Sequence, residues 1–212
     1  ADVAVRLLLS NPAEWEALAL SAKVAFWCML IGLVPGVALA WLLARGRFPG
    51  KALLDALVHL PMVLPPVVPG YLLLLAFGRQ GPAGQWLNET FGISLAFHWT
   101  GAVLASLVMG LPLLVQPVRL SFQLIDSRLE QASRSLGAGP WRTFLTITLP
   151  LAAPGILVGA ILAFSRSLGE FGATITFVGN IAGETRTLPL AIYSYIQQPG
   201  GEAPAWRLIL IS

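Results

Sequence analysis

The chain has 212 residues, 56% of them hydrophobic and 11% charged, with a mean hydropathy of +0.76. Soluble domains carry roughly 25% charged residues, so the composition excludes a soluble enzyme, a disordered chain and a nucleic-acid binder, and leaves a polytopic membrane protein. Net charge is +3, but the 13 Lys and Arg are scattered and read as membrane-topology signal rather than as a nucleic-acid patch.

A bilayer core of roughly 30 Å needs about 20 apolar helical residues, and charge-free runs of that length recur along the chain. No signal-peptide pattern is expected ahead of the first, because residues 1–16 hold Asp2, Glu14 and Glu16 with Arg6 as the only base. The first run lies between Lys23 and Arg45 and predicts a span at about 18–44. It contains the only cysteine, Cys28, so an internal disulfide is excluded. The loop that follows carries Arg45, Arg47 and Lys51.

The second run, between Asp55 and Arg79, predicts a span at about 54–78. Its PMVLPPVVPG segment holds Pro61, Pro65, Pro66 and Pro69. Each proline removes a backbone donor and crowds the preceding turn, so the helix is expected to break here. Broken backbone survives in a membrane only where protein or a water-filled path covers it, which makes Pro65 and Pro66 candidates for the translocation path. His59, just before the break, reads as a packing or interfacial histidine, with a ligand role as the alternative. The loop 79–99 holds one base, Arg79; its Asn88-Glu89-Thr90 sequon reads as chance. A third span is predicted at about 100–119.

Residues 121–145 form the second basic loop, with Arg128, Arg134 and Arg142 after Arg119 at its border. Together the two basic loops place seven bases on one side, so the positive-inside rule makes them cytoplasmic and the N-terminus external. Within the loop, Ser127-x-x-Glu130 reads as a capping box that starts a helix at Arg128. Leu129, Ala132 and Leu136 fall on one stripe, and Gly137 suits the position just past the helix end. A stripe of only Leu and Ala is a poor lipid anchor; a groove on a partner protein suits it better. A second helix is expected to start near Pro140 and to run into a fourth span at about 146–166.

Arg166 and Glu170 are spaced i, i+4 near the outer end of that span, either as a local ion pair or with Arg166 lending positive potential to the outer mouth. The apolar stretch 171–179, with Phe171 and Thr174, is too short to span and reads as a re-entrant or gating segment in a dimer interface. Residues 183–186 read as a polar outer turn facing an external partner. A fifth run begins near residue 205 and is read as a helix that continues past residue 212.

The loop also carries a family resemblance. Gly137, nine residues, then Ile147-x-Leu149-Pro150 matches the G-x9-I-x-L-P part of the EAA loop of ABC-importer permeases, with Gln131-Ala132-Ser133 where the consensus has Glu-Ala-Ala. The segments 48–78 and 166–193 are similar to the permeases of molybdate importers, and the sulfate and thiosulfate permeases share the same landmarks. The resemblance implies one all-α domain over residues 1–212, of the type I importer permease fold with about five spans. It implies that Ser127, Leu129, Glu130, Gln131, Ala132, Leu136, Gly137, Ala138 and Gly139 form a coupling helix and its turn, docked on a separate ATPase. It also implies a homodimer of permease chains, two ATPase subunits that bind ATP and Mg, and an external oxyanion-binding protein, in a prokaryotic cytoplasmic membrane. Molybdate is the preferred substrate, with tungstate and sulfate as alternatives.

The residues alone leave two rivals. A secondary transporter would show an inverted repeat and midplane carboxylates, and neither is evident. An intramembrane enzyme needs a site, but the two histidines are 39 apart and no H-E-x-x-H or G-x-S-x-G occurs. No G-x-x-x-x-G-K-[ST] loop occurs either, so ATP hydrolysis is assigned to a partner chain. Few polar groups lie in the spans (His59, Ser106, Gln116, Ser165 and Arg166 lead them), which suits a transient conduit rather than a tight anion site.

Overall fold

The computed structural model describes residues 12–211, and those residues fold as helices joined by short turns. Helix α1, Pro12–Arg45, runs through its internal Pro35. The proline-rich run is two helices, α2 (Lys51–Val63) and α3 (Val67–Phe77), bent by 114° at a break of three residues, Leu64, Pro65 and Pro66. Neither Pro65 nor Pro66 has an N–H to donate, and Leu64, which precedes a proline, is extended (φ −76°, ψ 145°). Helix α4 (Pro82–Phe91) forms within the 79–99 loop and ends on Gly92 at φ 66°. Helix α5 spans Trp99–Leu124. The short α6 (Ser127–Ser135) precedes α7 (Pro140–Leu168). Helices α8 (Gly172–Val178), α9 (Leu188–Ile196) and α10 (Glu202–Ile211) complete the described chain.

The centre of the fold is the mutual packing of α1, α5 and α7. Without a hydrophobic drive between helices in lipid, association depends on close backbone approach through small residues. On α7, Gly155 lies against the Pro117 carbonyl and the Ser121 side chain of α5, and Gly159 lies against the Leu114 carbonyl. On α1, Gly32 and Gly36 receive Leu107 and Leu114. The buried core follows this seam, with Val115, Val118, Phe122, Ala40, Leu43 and Ala152 toward one end and Met109, Cys28, Val24 and Phe177 toward the other. The outward faces stay apolar, as a surface meant for lipid requires: Val34 is 78% exposed and Ile31, Leu157 and Ile161 are also exposed.

Two ties fix the end opposite the basic loops. Arg207 donates to fully buried Glu14 at 2.7 Å, joining the middle of α10 to the start of α1. Lys23 stands 3.6 Å over the Trp99 ring, joining α1 to the start of α5.

The 171–179 stretch forms a short helix, α8, folded back onto its own chain. Ala173, Thr174, Phe177 and Val178 of α8 are buried against α3 and α5 of their own chain. Two glycines make this possible. A Cβ on Gly70 would fall 2.6 Å from the Ala173 carbonyl oxygen, and one on Gly172 would fall 2.6 Å from Pro66.

Candidate functional site

On the side of the basic loops, α6 begins differently from the sequence expectation. The cap is Asp126, whose carboxylate accepts from the Arg128 N–H at 2.9 Å, and Ser127 is the first helical residue. Asp caps as well as Ser, and with Asp126 in place the Ser127–Glu130 box does not form. Glu130 turns inward instead: its Oε1 accepts from Thr148 Oγ1 at 2.9 Å and from Arg45 Nη2 at 3.4 Å. Arg45 also donates to the Ile125 carbonyl at 3.1 Å. The Ser133 and Thr143 hydroxyls are hydrogen-bonded at 3.1 Å.

One face of α6 is thus pinned to the ends of α1 and α7, and the opposite face is bare. Gln131 and Ala132 are exposed, Leu129 is 48% and Leu136 89% exposed, and no residue of the helix is buried. The helix ends in a Schellman arrangement: Gly137 N–H donates to the Arg134 carbonyl at 3.0 Å and Ala138 N–H to the Ser133 carbonyl at 3.2 Å, with Gly137 at φ 87°. Gly139 then caps α7, with Pro140 in its first turn. Sequence reasoning passed over Trp141, which is 77% exposed on this same end; its signal was a tryptophan one residue past the helix-starting proline.

Thr148 lies in a π turn, Phe144–Thr148, where Leu149 N–H donates to the Phe144 carbonyl. Pro150 has no N–H for the Thr146 carbonyl, so the regular ladder fails here, and the wide turn lies just before it. Such turns concentrate at functional positions.

The second assembly surrounds the α2–α3 break. An open pocket of about 190 Å³ is lined by Pro61, Met62, Leu64 and Pro66 from the break, Met109 and Leu113 from α5, and Arg166 from α7. Pro65 is exposed beside it. Arg166 pairs with Glu170 at 2.6 Å, and Glu170 is almost fully buried. The other Glu170 oxygen accepts from the Ala173 N–H at 2.8 Å, which holds the first turn of α8. Phe171 packs on Tyr193 with ring centroids 5.0 Å apart, and Thr174 is buried. The expected path candidates therefore divide. Pro66 and Arg166 meet at the pocket; Glu170 holds Arg166, while Phe171 and Thr174 are not among its lining residues.

His59 is not packed in the core. Its Nδ1 lies 2.7 Å from the Asp55 carbonyl and its Nε2 lies 2.7 Å from Gln116 Nε2, while Arg119 donates to Asp55 Oδ1 at 2.8 Å. On the opposite end, Arg186 donates to Asn180, and His98 sits 3.1 Å from Glu184, so the 183–186 turn is anchored rather than loose. Among the described residues, no cluster of three His, Cys, Asp or Glu side chains is placed to hold a metal ion.

Comparison with known proteins decides the family. Residues 36–211 match the model of the binding-protein-dependent transport system inner membrane component. The chain belongs to this family of importer permeases. The molybdenum transport system permease protein ModB of Escherichia coli (strain K12) is 60% identical over 97% of this chain and 90% of its own length. ModB of Mycobacterium tuberculosis is 43% identical over 96% of this chain and 77% of its own length. The sulfate transport system permease protein CysT of E. coli (strain K12) is 37% identical over 90% and 69%. The permease also shares its fold with the MetNI methionine ABC transporter in an inward facing form, at a TM-score of 0.62 and 20% identity over 100% of this chain and 90% of that one. As an ABC permease it is a non-catalytic, multi-pass component of the inner membrane, working with an ATPase and a substrate-binding protein.

Proposed function

We propose that this permease carries molybdate, as a tetrahedral dianion, across the inner membrane in an ATP-driven importer. The observation that carries the substrate assignment is the 60% identity to ModB of E. coli over 97% of the chain. Two copies form a homodimer whose shared axis is the path; the open pocket at the α2–α3 break supports this, because one chain leaves its Arg166-lined side uncovered. Two ATPase subunits bind ATP and Mg. They receive α6 through Leu129, Ala132 and Leu136, and the bare face of α6 supports that docking. The basic loops lie in the cytoplasm and the start of α1 lies outside, as the seven bases at 45–51 and 119–142 favour.

The test is reconstitution in liposomes with the partner ATPase and binding protein. Expected is molybdate uptake that needs ATP and the binding protein, and that excess sulfate does not suppress. Suppression by equimolar sulfate would move the substrate assignment to the sulfate class. Uptake driven by an ion gradient without ATP would end the importer reading.

A further inference from the structure

Four side chains that the coupling and pocket assignments leave unused meet between α2 and α5. Arg119 donates to Asp55, and His59 bridges the Asp55 carbonyl and Gln116, with Asp55, His59 and Arg119 each about a quarter to a third exposed. A carbonyl only accepts, so the proton of His59 sits on Nδ1. Nε2 then faces the Gln116 side-chain amide at 2.7 Å and takes one of its N–H groups. Gln116 is exposed and keeps its second N–H; Arg119 gives Asp55 one of five donors.

The placement is directional. Asp55, His59 and Met62 recur at i, i+4 and i+7 on α2, and Met109, Leu113 and Gln116 do so on α5, so each group shares one face. Met62, Met109 and Leu113 line the Arg166 pocket. The Arg166 pocket, an apolar stretch and then Gln116 and Arg119 therefore follow one another along the facing sides of α2 and α5. At 1.5 Å rise per residue, Met109 to Gln116 covers about 10 Å. Polar side chains at this depth stay off the lipid and mark ion routes.

We infer that Gln116 and Arg119, with His59 and Asp55 behind them, form an inner station that receives a tetrahedral dianionic oxyanion as it leaves the apolar stretch toward the 45–51 side. Gln116 and Arg119 supply donors in place of water. Asp55 offsets the charge of Arg119, which keeps the hold weak, and a conduit needs sites that bind loosely enough to release. The inference rests on the permease reading above.

The experiment measures molybdate accumulated and ATP hydrolysed in the same liposomes, using the complex with its ATPase and binding protein. Gln116→Glu sets a carboxylate against the dianion; it should lower molybdate carried per ATP at least fivefold while binding-protein-stimulated hydrolysis persists. Gln116→Leu removes the donor without adding charge, is tolerated at an exposed position, and should lower the ratio less. A ratio equal to the parent protein in both variants, whether both rates hold or both fall together, overturns the station. Absence of ATP-dependent uptake in the parent complex overturns the permease reading instead.

Discussion

Thr148 donates its hydroxyl to Glu130 across 2.9 Å, and this contact joins the bare-faced helix α6 to the π turn of α7. Arg45, at the end of α1, reaches the same carboxylate at 3.4 Å. Any tilt imposed on α6 is therefore carried into α1 and α7, through Glu130 and, toward α7, also through the Ser133–Thr143 hydrogen bond. Thr148 is buried, so Thr148→Val leaves the carboxylate short of a donor that water replaces poorly. A hydrogen bond to a charged group contributes about 1.5–3 kcal/mol, and the partial exposure of Glu130 puts the expected loss near the lower figure. Thermal unfolding in detergent should show it, and stimulated ATP hydrolysis should uncouple from uptake. Glu130→Ala combined with Thr148→Val should cost little more than Glu130→Ala alone, because both variants remove one interaction. Additive losses would show that the two residues act separately.

The crossing of α3 and α8 gives a second prediction. Gly70 meets the Ala173 backbone, where a Cβ would stand 2.6 Å from the carbonyl oxygen. Backbone cannot move aside as a flexible side chain does. Gly70→Val should therefore push α8 off the break and destabilise the fold by about 1–3 kcal/mol. Gly139→Ala, at a position with no neighbouring atom within 4 Å, should have a much smaller effect. Equal unfolding temperatures for Gly70→Val and the parent protein would contradict the close crossing.

What the sequence disclosed and what it hid follow from the range of the forces involved. Charge-free runs and prolines act locally, so the α2–α3 break and the long α1, α5 and α7 could be read from composition alone. The start of α6 was misread by one residue because Asp126 and Ser127 are both good caps, and the choice turned on Glu130 finding Arg45 and Thr148, 85 and 18 residues away. What covers α8 within its own chain was not legible for a similar reason. An apolar segment must be covered, but sequence does not say by what, and here Gly70 and Gly172 let its own chain do so. His59 reads only as a packing or interfacial histidine from the sequence, because Gln116, its partner, lies 57 positions away.

Topology is open to a labelling test. Single cysteines at Gln85, Ser135 and Ala182, all exposed, are compared in a Cys28→Ser background. These positions avoid Gly84, where a side chain would strike the Phe77 and Gly78 carbonyls, and Gly183, which sits at φ 78°. With the basic loops cytoplasmic, an impermeant thiol reagent on intact cells should label Gln85→Cys and Ala182→Cys, and should label Ser135→Cys only after the membrane is opened. The reverse pattern would invert the orientation.

The last prediction separates docking from folding. Ala132 lies on the exposed face of α6, between Leu129 and Leu136 on one stripe. In the isolated permease, Ala132→Asp changes a water-exposed position and should shift stability by less than about 0.5 kcal/mol. In the assembled importer the same carboxylate would be buried against the ATPase without a partner, at a cost of several kcal/mol. Since about 1.4 kcal/mol is tenfold in affinity, the ATPase should be lost on co-purification while the permease still inserts and unfolds at the parent temperature. Glu130→Ala should behave in the opposite way, weakening the permease itself, because that side chain faces inward to Thr148 and Arg45. Retention of the ATPase by Ala132→Asp at the parent level would show that α6 is not the docked surface, and exposed Trp141 and Leu145 would be the next positions to substitute.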